Sequence, residues 1–277
     1  MRTQGIFRAI AKPVWLHLRD YVRSPAYRAL HRFARRLRNR RFDPPCKVHF
    51  AGKPIVLRDG PSFLSAWDEI FVNGIYDIGD CRPGPRLVDA GANIGLAALY
   101  WKNRYSEFRY VGFEPDPQVA ALCRANLTAW GCGGELHECA VTATGGEVDF
   151  LPDGADGGRV VGDAATPRSR RVRSTRLSDH LQEATDLLKL DIEGAEVEVL
   201  EEIAGRLPLV RNIFVETHSV PGRNQPFAAV FAILRNAGFR CFLHPGFGPE
   251  RPFARRGGVQ GGFETLVNVF GVREGKG

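Results

Sequence analysis

Five residues in two short segments have the types and spacing of a nucleotide-binding site. They are Asp89, Gly91, Asn93 and Gly95 within residues 87–101, and Glu114 within residues 110–117. Each segment begins as an apolar strand, and the small-residue turn in the first one leads into a helix. Ligands of parallel sheets bind outside the carboxyl ends of the strands, where an acidic residue roughly 20 positions beyond a glycine turn binds ribose hydroxyls.

The turn also indicates which kind of nucleotide is bound. A pyrophosphate-binding turn has a glycine where this chain has Asn93. Asp89 is expected to point toward the cleft, and together with Glu114 it would repel a pyrophosphate. Two carboxylates suit a cofactor with an ammonium group, a sulfonium and free ribose hydroxyls, which predicts S-adenosylmethionine. An ordinary strand-to-helix turn, with Glu114 capping the next helix, is the alternative.

A second group of charged residues follows another apolar segment. Lys189, Asp191 and Glu193 alternate with Leu190 and Ile192, so an extended chain places the three charged side chains on one side. Burying them without partners would cost several kcal/mol. They therefore form either a structural ion cluster or part of the reaction site at a strand tip.

Glu216 and His218 end the next predicted strand and belong to the same rim of the sheet. A histidine titrates near neutral pH and is a candidate general base for an acceptor hydroxyl, with a structural hydrogen-bonding histidine as the alternative. Together with Asp191 and Glu193 these residues suit a hard divalent cation. No spacing defines a ligand geometry, so we assign no metal. The remaining glutamates downstream are expected to form a solvated helix face; they are Glu196, Glu198, Glu201 and Glu202.

Apolar periodicity predicts the elements that must position these residues. Strands are predicted at 86–90, 109–114, 135–139, 187–191, 211–217, 239–244 and 263–271, and helices at 94–103, 117–130, 195–205 and 226–237. This alternation indicates an α/β domain with a mostly parallel sheet and helices on both faces. Residues 141–176 interrupt it with strand-like runs and form an insertion near the cofactor cleft.

The charge of the chain is concentrated at its start. The net charge is +7, but residues 1–45 hold twelve basic residues against two acidic ones, which leaves 26 basic and 29 acidic residues in 46–277. Residues 1–45 are predicted to be a basic helical arm, and a basic amphipathic helix either lies on an anionic membrane surface or packs on its own protein. A nearly neutral domain does not require nucleic acid as a partner.

Residues 46–277 form the second predicted unit. Its lead-in, 46–85, contains a hairpin of 48–50 with 54–58 and then a helix. No apolar run approaches the roughly 18 residues of a membrane span, and the chain start lacks the pattern of a signal peptide. The six cysteines show neither zinc spacing nor a C-x-x-C pair, which favours a reducing compartment. We therefore expect a cytoplasmic protein that associates with membranes only through its arm.

Several motifs, in order and spacing, resemble the FkbM-type S-adenosylmethionine-dependent methyltransferases. They are FVNGIYD at 71–77, DAGANIG at 89–95, FEPDP at 113–117, ECAV at 138–141, LLKLDIEGAEVEVL at 187–200 and VETH at 215–218. The resemblance covers about 48–271. It implies a class I methyltransferase fold, Rossmann-like, with a seven-stranded sheet whose last strand, 263–271, is antiparallel. It also assigns Asp116, Cys139 and Ala140 to the cofactor site, with the last two at the adenine edge.

The sequence thus predicts an O-methyltransferase that acts on a hydroxyl of a sugar, glycan or secondary metabolite. Its candidate catalytic residues are Lys189, Asp191, Glu193, Glu216 and His218. One alternative is a nicotinamide-dependent oxidoreductase, which Asn93 and the acidic cleft disfavour. Another is a noncatalytic scaffold whose arm holds a membrane or a partner, because a fold alone does not separate binding from turnover.

Overall fold

A computed structural model of the chain describes residues 34–50, 52–79, 81–153, 157–161, 166–249, 253 and 262–273. Its strands are β1 (Arg41–Phe50), β2 (Lys53–Asp59), β3 (Arg86–Ala90), β4 (Arg109–Phe113), β5 (Glu135–His137), β6 (Ala140–Val141), β7 (Gly146–Leu151), β8 (Arg159–Val160), β9 (Arg170–Thr175), β10 (Thr185–Leu190), β11 (Val210–Ser219), β12 (Arg240–Phe247) and β13 (Thr265–Val272). Its helices are α1 (Gly60–Trp67), α2 (Leu96–Arg104), α3 (Pro117–Trp130), α4 (Glu196–Glu202) and α5 (Phe227–Asn236).

Seven of these strands form the central sheet in the order β5-β4-β3-β10-β11-β13-β12. The pairs from β5 to β11 are parallel, whereas β13 is antiparallel to both β11 and β12. This arrangement confirms the predicted class I methyltransferase fold, including the antiparallel last strand. That strand lies between β11 and β12, so the edge of the sheet is β12.

Both faces of the sheet are covered, which explains why every residue of its inner strands β3 and β10 is buried. Leu87 packs into one hydrophobic cluster and its neighbour Val88 into the other, because successive strand residues point to opposite faces. Trp101 of α2 belongs to the first cluster and Val230 of α5 to the second. The sheet is therefore held rigidly between two helical layers, with the carboxyl ends of its parallel strands at one rim.

Residues 141–176 form the predicted insertion, a second sheet of strands β6, β9, β7 and β8. It approaches the rim of the main sheet at two points. Arg170 lies 3.8 Å from an oxygen of Asp116, and the guanidinium of Arg159 lies 5.7 Å from the ring centre of Phe263. Its described part therefore borders the cleft, as the sequence indicated.

The start of the described chain differs from the expected separation of arm and domain. Strand β1 begins at Arg41 and runs through Pro44 and Pro45, where we predicted a break. Its register shifts between Arg41 and Cys46, and such an irregularity accommodates prolines, which have no N–H to donate. The short helical turn before it, 34–37, is also packed on the domain, because Leu37 is buried in the core.

Most of the predicted basic helical arm, residues 1–33, lies outside the described residues. Its binding to an anionic membrane surface stays a prediction. Within the described part of the chain, no helix is both long and apolar enough to cross a membrane.

Candidate active site

The glycine turn after β3 has the conformation that a close backbone approach requires. Gly91 has a φ of +87°, and a Cβ atom at this position would lie 1.9 Å from the carbonyl oxygen of Asp191. Asn93 also has a left-handed φ, +51°, which asparagine tolerates better than most residues. The N–H groups of Gly91 and Ala92 both donate to the carbonyl of Phe113. The turn is thus fixed between the ends of β4 and β10.

Glu114 connects this turn to the loop before α3. Its carboxylate accepts hydrogen bonds of 2.9 Å from the backbone N–H groups of Asn93 and Asp116. Burial raises the pKa of Glu114 to about 7, although both hydrogen bonds act in the opposite direction. Glu114 thus orders the loop before α3, but the side chain that caps this helix is Asp116, so the capping alternative is wrong for Glu114. Each carboxylate oxygen accepts more than one hydrogen bond, so the predicted contact with ribose hydroxyls remains available.

The other predicted cofactor residues also lie beside this loop. Asp116 is buried and caps α3 by accepting a hydrogen bond of 2.9 Å from the N–H of Gln118. Cys139 lines a cleft of about 420 Å³ that His137 and Thr175 also border. Burial raises the pKa of Cys139, which suits an apolar lining and not a nucleophile. Ala140 is buried as the first residue of β6.

Asp89 occupies a different place from the one expected. None of its surface is exposed, so its carboxylate does not open onto the cleft toward which we expected it to point. Its oxygens instead lie 3.1 Å from the hydroxyl of Tyr110 and 3.2 Å from Nζ of Lys189. The reason lies in the register of the parallel pair β3 and β10, which sets Asp89 directly opposite Lys189.

Lys189 joins this buried pair to the turn and to the rim. Its ammonium group donates to the carbonyl of Gly91 at 2.7 Å and lies 3.3 Å from an oxygen of Asp191. Burial alone lowers the pKa of Lys189, but Asp89 and Asp191 outweigh it and hold the pKa above its ordinary value. Lys189 therefore forms the ion cluster that the alternative predicted, and it links Asp89, Asp191 and the carbonyl of Gly91. Asp191 keeps a quarter of its side-chain surface exposed at the rim.

His218 is enclosed by three carboxylates. Its Nδ1 lies 2.9 Å from Glu196, and its Nε2 lies 3.2 Å from an oxygen of Glu193 and 3.2 Å from an oxygen of Glu216. Burial is the largest single effect and lowers the pKa of His218, but Glu196, Glu216 and Glu193 together outweigh it and hold the pKa well above its ordinary value. The raised pKa favours a protonated ring while no cation is bound, which is unfavourable for a general base. The base role of His218 stays a prediction.

Glu196 is a residue of this rim that the sequence analysis missed. We expected it on a solvated helix face with Glu198, Glu201 and Glu202; Glu198 and Glu201 are exposed, but Glu196 is buried. The carboxylate of Glu196 is buried, where it accepts a hydrogen bond of 2.9 Å from the N–H of Gly194 and contacts His218. The sequence did contain a signal for its burial at the rim. Glu196 lies in the first turn of the helix that follows β10, and this turn lies at the same rim as Glu193. Glu193 itself has a φ of +62°, which is uncommon for glutamate.

Comparison with known proteins agrees with this fold. Residues 89–241 match the methyltransferase FkbM domain. This match covers more than half of the chain, so the chain belongs to the FkbM methyltransferase family. Its cofactor is S-adenosylmethionine. The nicotinamide alternative does not agree with this family.

Three relatives illustrate the family. Methyltransferase sdnD of Sordaria araneosa is 30% identical over 62% of this chain and 80% of its own length. The 31-O-demethyl-FK506 methyltransferase FkbM of Streptomyces tacrolimicus is 30% identical over 58% of this chain and 74% of its own length. The 2-O-methyltransferase NoeI of Sinorhizobium fredii is 29% identical over 49% of this chain and 63% of its own length.

The raised pKa of Glu114 leads to an expected pH dependence of cofactor binding. The predicted hydrogen bonds from the ribose hydroxyls require an acceptor, so the ligand is expected to prefer the deprotonated form of Glu114, whose pKa is raised to about 7. The affinity for S-adenosylhomocysteine should therefore rise about tenfold between pH 6 and pH 8, as the ionised fraction rises. Calorimetric titration at several pH values measures it. Glu114→Gln is the control and should bind weakly with no such slope; an equal slope in both proteins would contradict the assignment.

Proposed function

We propose that this protein transfers the methyl group of S-adenosylmethionine to a hydroxyl oxygen of a sugar, a glycan or another small metabolite. The observation that carries the proposal is a pair of partly exposed carboxylates at the ends of β10 and β11. Side-chain exposure is 25% for Asp191 and 17% for Glu216. Carboxylates at this rim are suited to accept hydrogen bonds from a hydroxyl donor. The printed names of two relatives, a 31-O-demethyl-FK506 methyltransferase and a 2-O-methyltransferase, support oxygen as the acceptor.

On the cofactor side, the backbone around Gly91 approaches the ligand while Glu114 accepts hydrogen bonds from the ribose. Asp89 acts indirectly, because it holds Lys189, which in turn fixes the carbonyl of Gly91. The nearly neutral charge of residues 46–277 agrees with a small acceptor in place of nucleic acid.

On the acceptor side, Asp191 orients the hydroxyl and Glu216 receives its proton. The oxygen forms a bond to the methyl carbon while the carbon–sulfur bond breaks, and the bonding electron pair passes to sulfur. Burial raises the pKa of Glu216, which makes it a stronger base than an ordinary glutamate. Positioning of the reactants contributes about 7–11 kcal/mol to such reactions, and a general base about 10²- to 10⁴-fold in rate.

The cysteines support the proposed cytoplasmic location. All six are free thiols in the described part of the chain, including Cys123 and Cys139 in the core. Unpaired cysteines of this number are typical of a reducing compartment.

The experiment that tests the function supplies methyl-labelled S-adenosylmethionine with hydroxylated glycans and metabolite extracts. Asp191→Asn should lower turnover of any accepted substrate by about 10²-fold or more, because it removes an orienting charge used in the transition state. Its affinity for S-adenosylhomocysteine should stay within about threefold of the wild-type value, since Asp191 does not contact the ribose. Glu198→Gln, on the exposed helix face, is the matched control and should change neither quantity.

Two results would contradict the proposal. One is methyl transfer to nitrogen or carbon, with no hydroxylated acceptor modified. The other is wild-type turnover in folded Asp191→Asn and Glu216→Gln, which would remove both carboxylates from the reaction.

A further inference from the structure

Three potential ligand groups converge at the ends of β10 and β11. One oxygen each from Asp191 and Glu193 and one ring nitrogen of His218 all lie within 4.8 Å of one another. Asp191 and Glu193 follow β10, and His218 belongs to the neighbouring strand β11. Among the described residues this is the one such group of acidic, histidine or cysteine side chains.

The ring of His218 is oriented so that one nitrogen faces this group. Its Nδ1 contacts the carboxylate of Glu196 at 2.9 Å. Its Nε2 is buried and makes no hydrogen bond, although oxygens of Glu193 and Glu216 are each 3.2 Å away. The side chain is only 1% exposed, so no bulk water reaches this nitrogen. An imidazole held by a carboxylate through one nitrogen, with the other nitrogen directed into carboxylates, is a frequent arrangement of metal ligands.

The distance between these groups also suits a shared cation. Ligands of a small divalent ion stand about 2.0–2.2 Å from it, so adjacent ligands in an octahedral site are about 3 Å apart. Nε2 of His218 and the oxygen of Glu193 are 3.2 Å apart. A small adjustment would bring both atoms onto one ion.

The charges around the group favour a cation. Five carboxylates and only two basic side chains meet at the ends of β3, β10 and β11. The acidic residues are Asp89, Asp191, Glu193, Glu196 and Glu216, and the basic ones are Lys189 and His218. Even with both basic groups charged, three negative charges are in excess. Buried charges are stable only when paired, and a divalent ion compensates for most of this excess.

We propose that Asp191, Glu193 and His218 bind a divalent metal ion, with Glu196 holding the histidine ring in position. Two carboxylates and one imidazole form a mixed ligand set, for which Mn²⁺ is a suitable probe because it accepts both oxygen and nitrogen ligands. Three protein ligands leave coordination positions for the acceptor hydroxyl, which the ion orients and acidifies beside Glu216. This role rests on the proposed function, whereas metal binding itself does not.

The test is a titration of the full, chelator-treated chain with Mn²⁺, followed by electron paramagnetic resonance and calorimetry. Wild-type protein should bind one Mn²⁺ per chain. Glu193→Gln and His218→Gln should each lower the Mn²⁺ affinity at least tenfold, and Glu196→Gln about 10- to 100-fold, because partners that orient a ligand have effects of this size. Glu198→Gln is the matched control, an exposed glutamate of the same helix as Glu196, and should bind Mn²⁺ as wild type does.

Two outcomes would overturn the site: no bound Mn²⁺ in the folded wild-type chain at millimolar concentration, or equal affinity in Glu198→Gln and the three site variants. Circular dichroism and S-adenosylhomocysteine binding identify variants that fail to fold. If Glu193→Gln does not fold, the milder Glu196→Gln still decides the matter, since unchanged Mn²⁺ affinity there overturns the proposed assignment. Mn²⁺ binding without methyl transfer would refute the function alone, and methyl transfer without Mn²⁺ binding would refute the site alone.

Discussion

Lys189→Met is expected to lower the free energy of unfolding by about 3–5 kcal/mol, because removing one member of a buried ion pair leaves the other charge uncompensated. Asp89 is fully buried and depends on Lys189 for its charge partner. The variant also removes the hydrogen bond to the carbonyl of Gly91. Urea unfolding followed by circular dichroism measures the change.

The double variant Asp89→Asn/Lys189→Met should be more stable than Lys189→Met, since it removes the uncompensated charge as well. Lys47→Met is the control, because Lys47 is exposed on β1 and its replacement should change stability by no more than about 0.5 kcal/mol. A double variant as unstable as Lys189→Met would show that the buried charge is not the cause.

Gly91→Ala is expected to destabilise the protein by roughly 2–5 kcal/mol and to abolish the stabilisation by S-adenosylhomocysteine. Two costs add: the left-handed backbone disfavours alanine, and the new Cβ would lie 1.9 Å from the carbonyl oxygen of Asp191. That oxygen is backbone, so relief requires the turn to separate from the end of β10. Thermal unfolding with and without S-adenosylhomocysteine measures both effects.

Gly131→Ala separates the two costs. Gly131 ends α3 with a φ of +66°, but no atom lies within 4 Å of where its Cβ would stand. This variant should lose only about 1–2 kcal/mol and should keep its response to the ligand. Equal stability losses in the two variants would mean that the contact between the turn and Asp191 does not constrain the site.

Gly91 and Lys189 belong to one structural unit. The turn at Gly91 and the end of β10 touch through the backbone of Asp191 and through the ammonium group of Lys189. A substitution in either element is therefore expected to change the position of Asp191, to which we assign the acceptor side in the proposed function. The cofactor and acceptor sides are built as one rigid unit, which suits a reaction that depends on alignment.

The sequence by itself determined the type and order of the elements of the main sheet and its helices, and most of their boundaries to within two residues. Strand β3 and helix α3 have the predicted bounds, 86–90 and 117–130. Local chemistry explains this success, because α3 begins with a capping Asp116 and Pro117 and ends at the left-handed Gly131. The start of the hairpin could not be predicted in this way. Its first strand continues through Pro44 and Pro45 because the strand register shifts there, and composition does not reveal such a shift.

Only the tertiary structure decided which charged residues meet. Lys189 was correctly placed on a strand, but its partner Asp89 lies 100 positions earlier and becomes its neighbour only when β3 pairs with β10. Likewise, the sequence alone places Glu196 on a solvated helix face, whereas packing of α4 against β11 buries it beside His218. Periodicity shows which way a side chain points within its own element. The partners of that side chain depend on pairing between distant segments. Its charge state and its role depend on those partners.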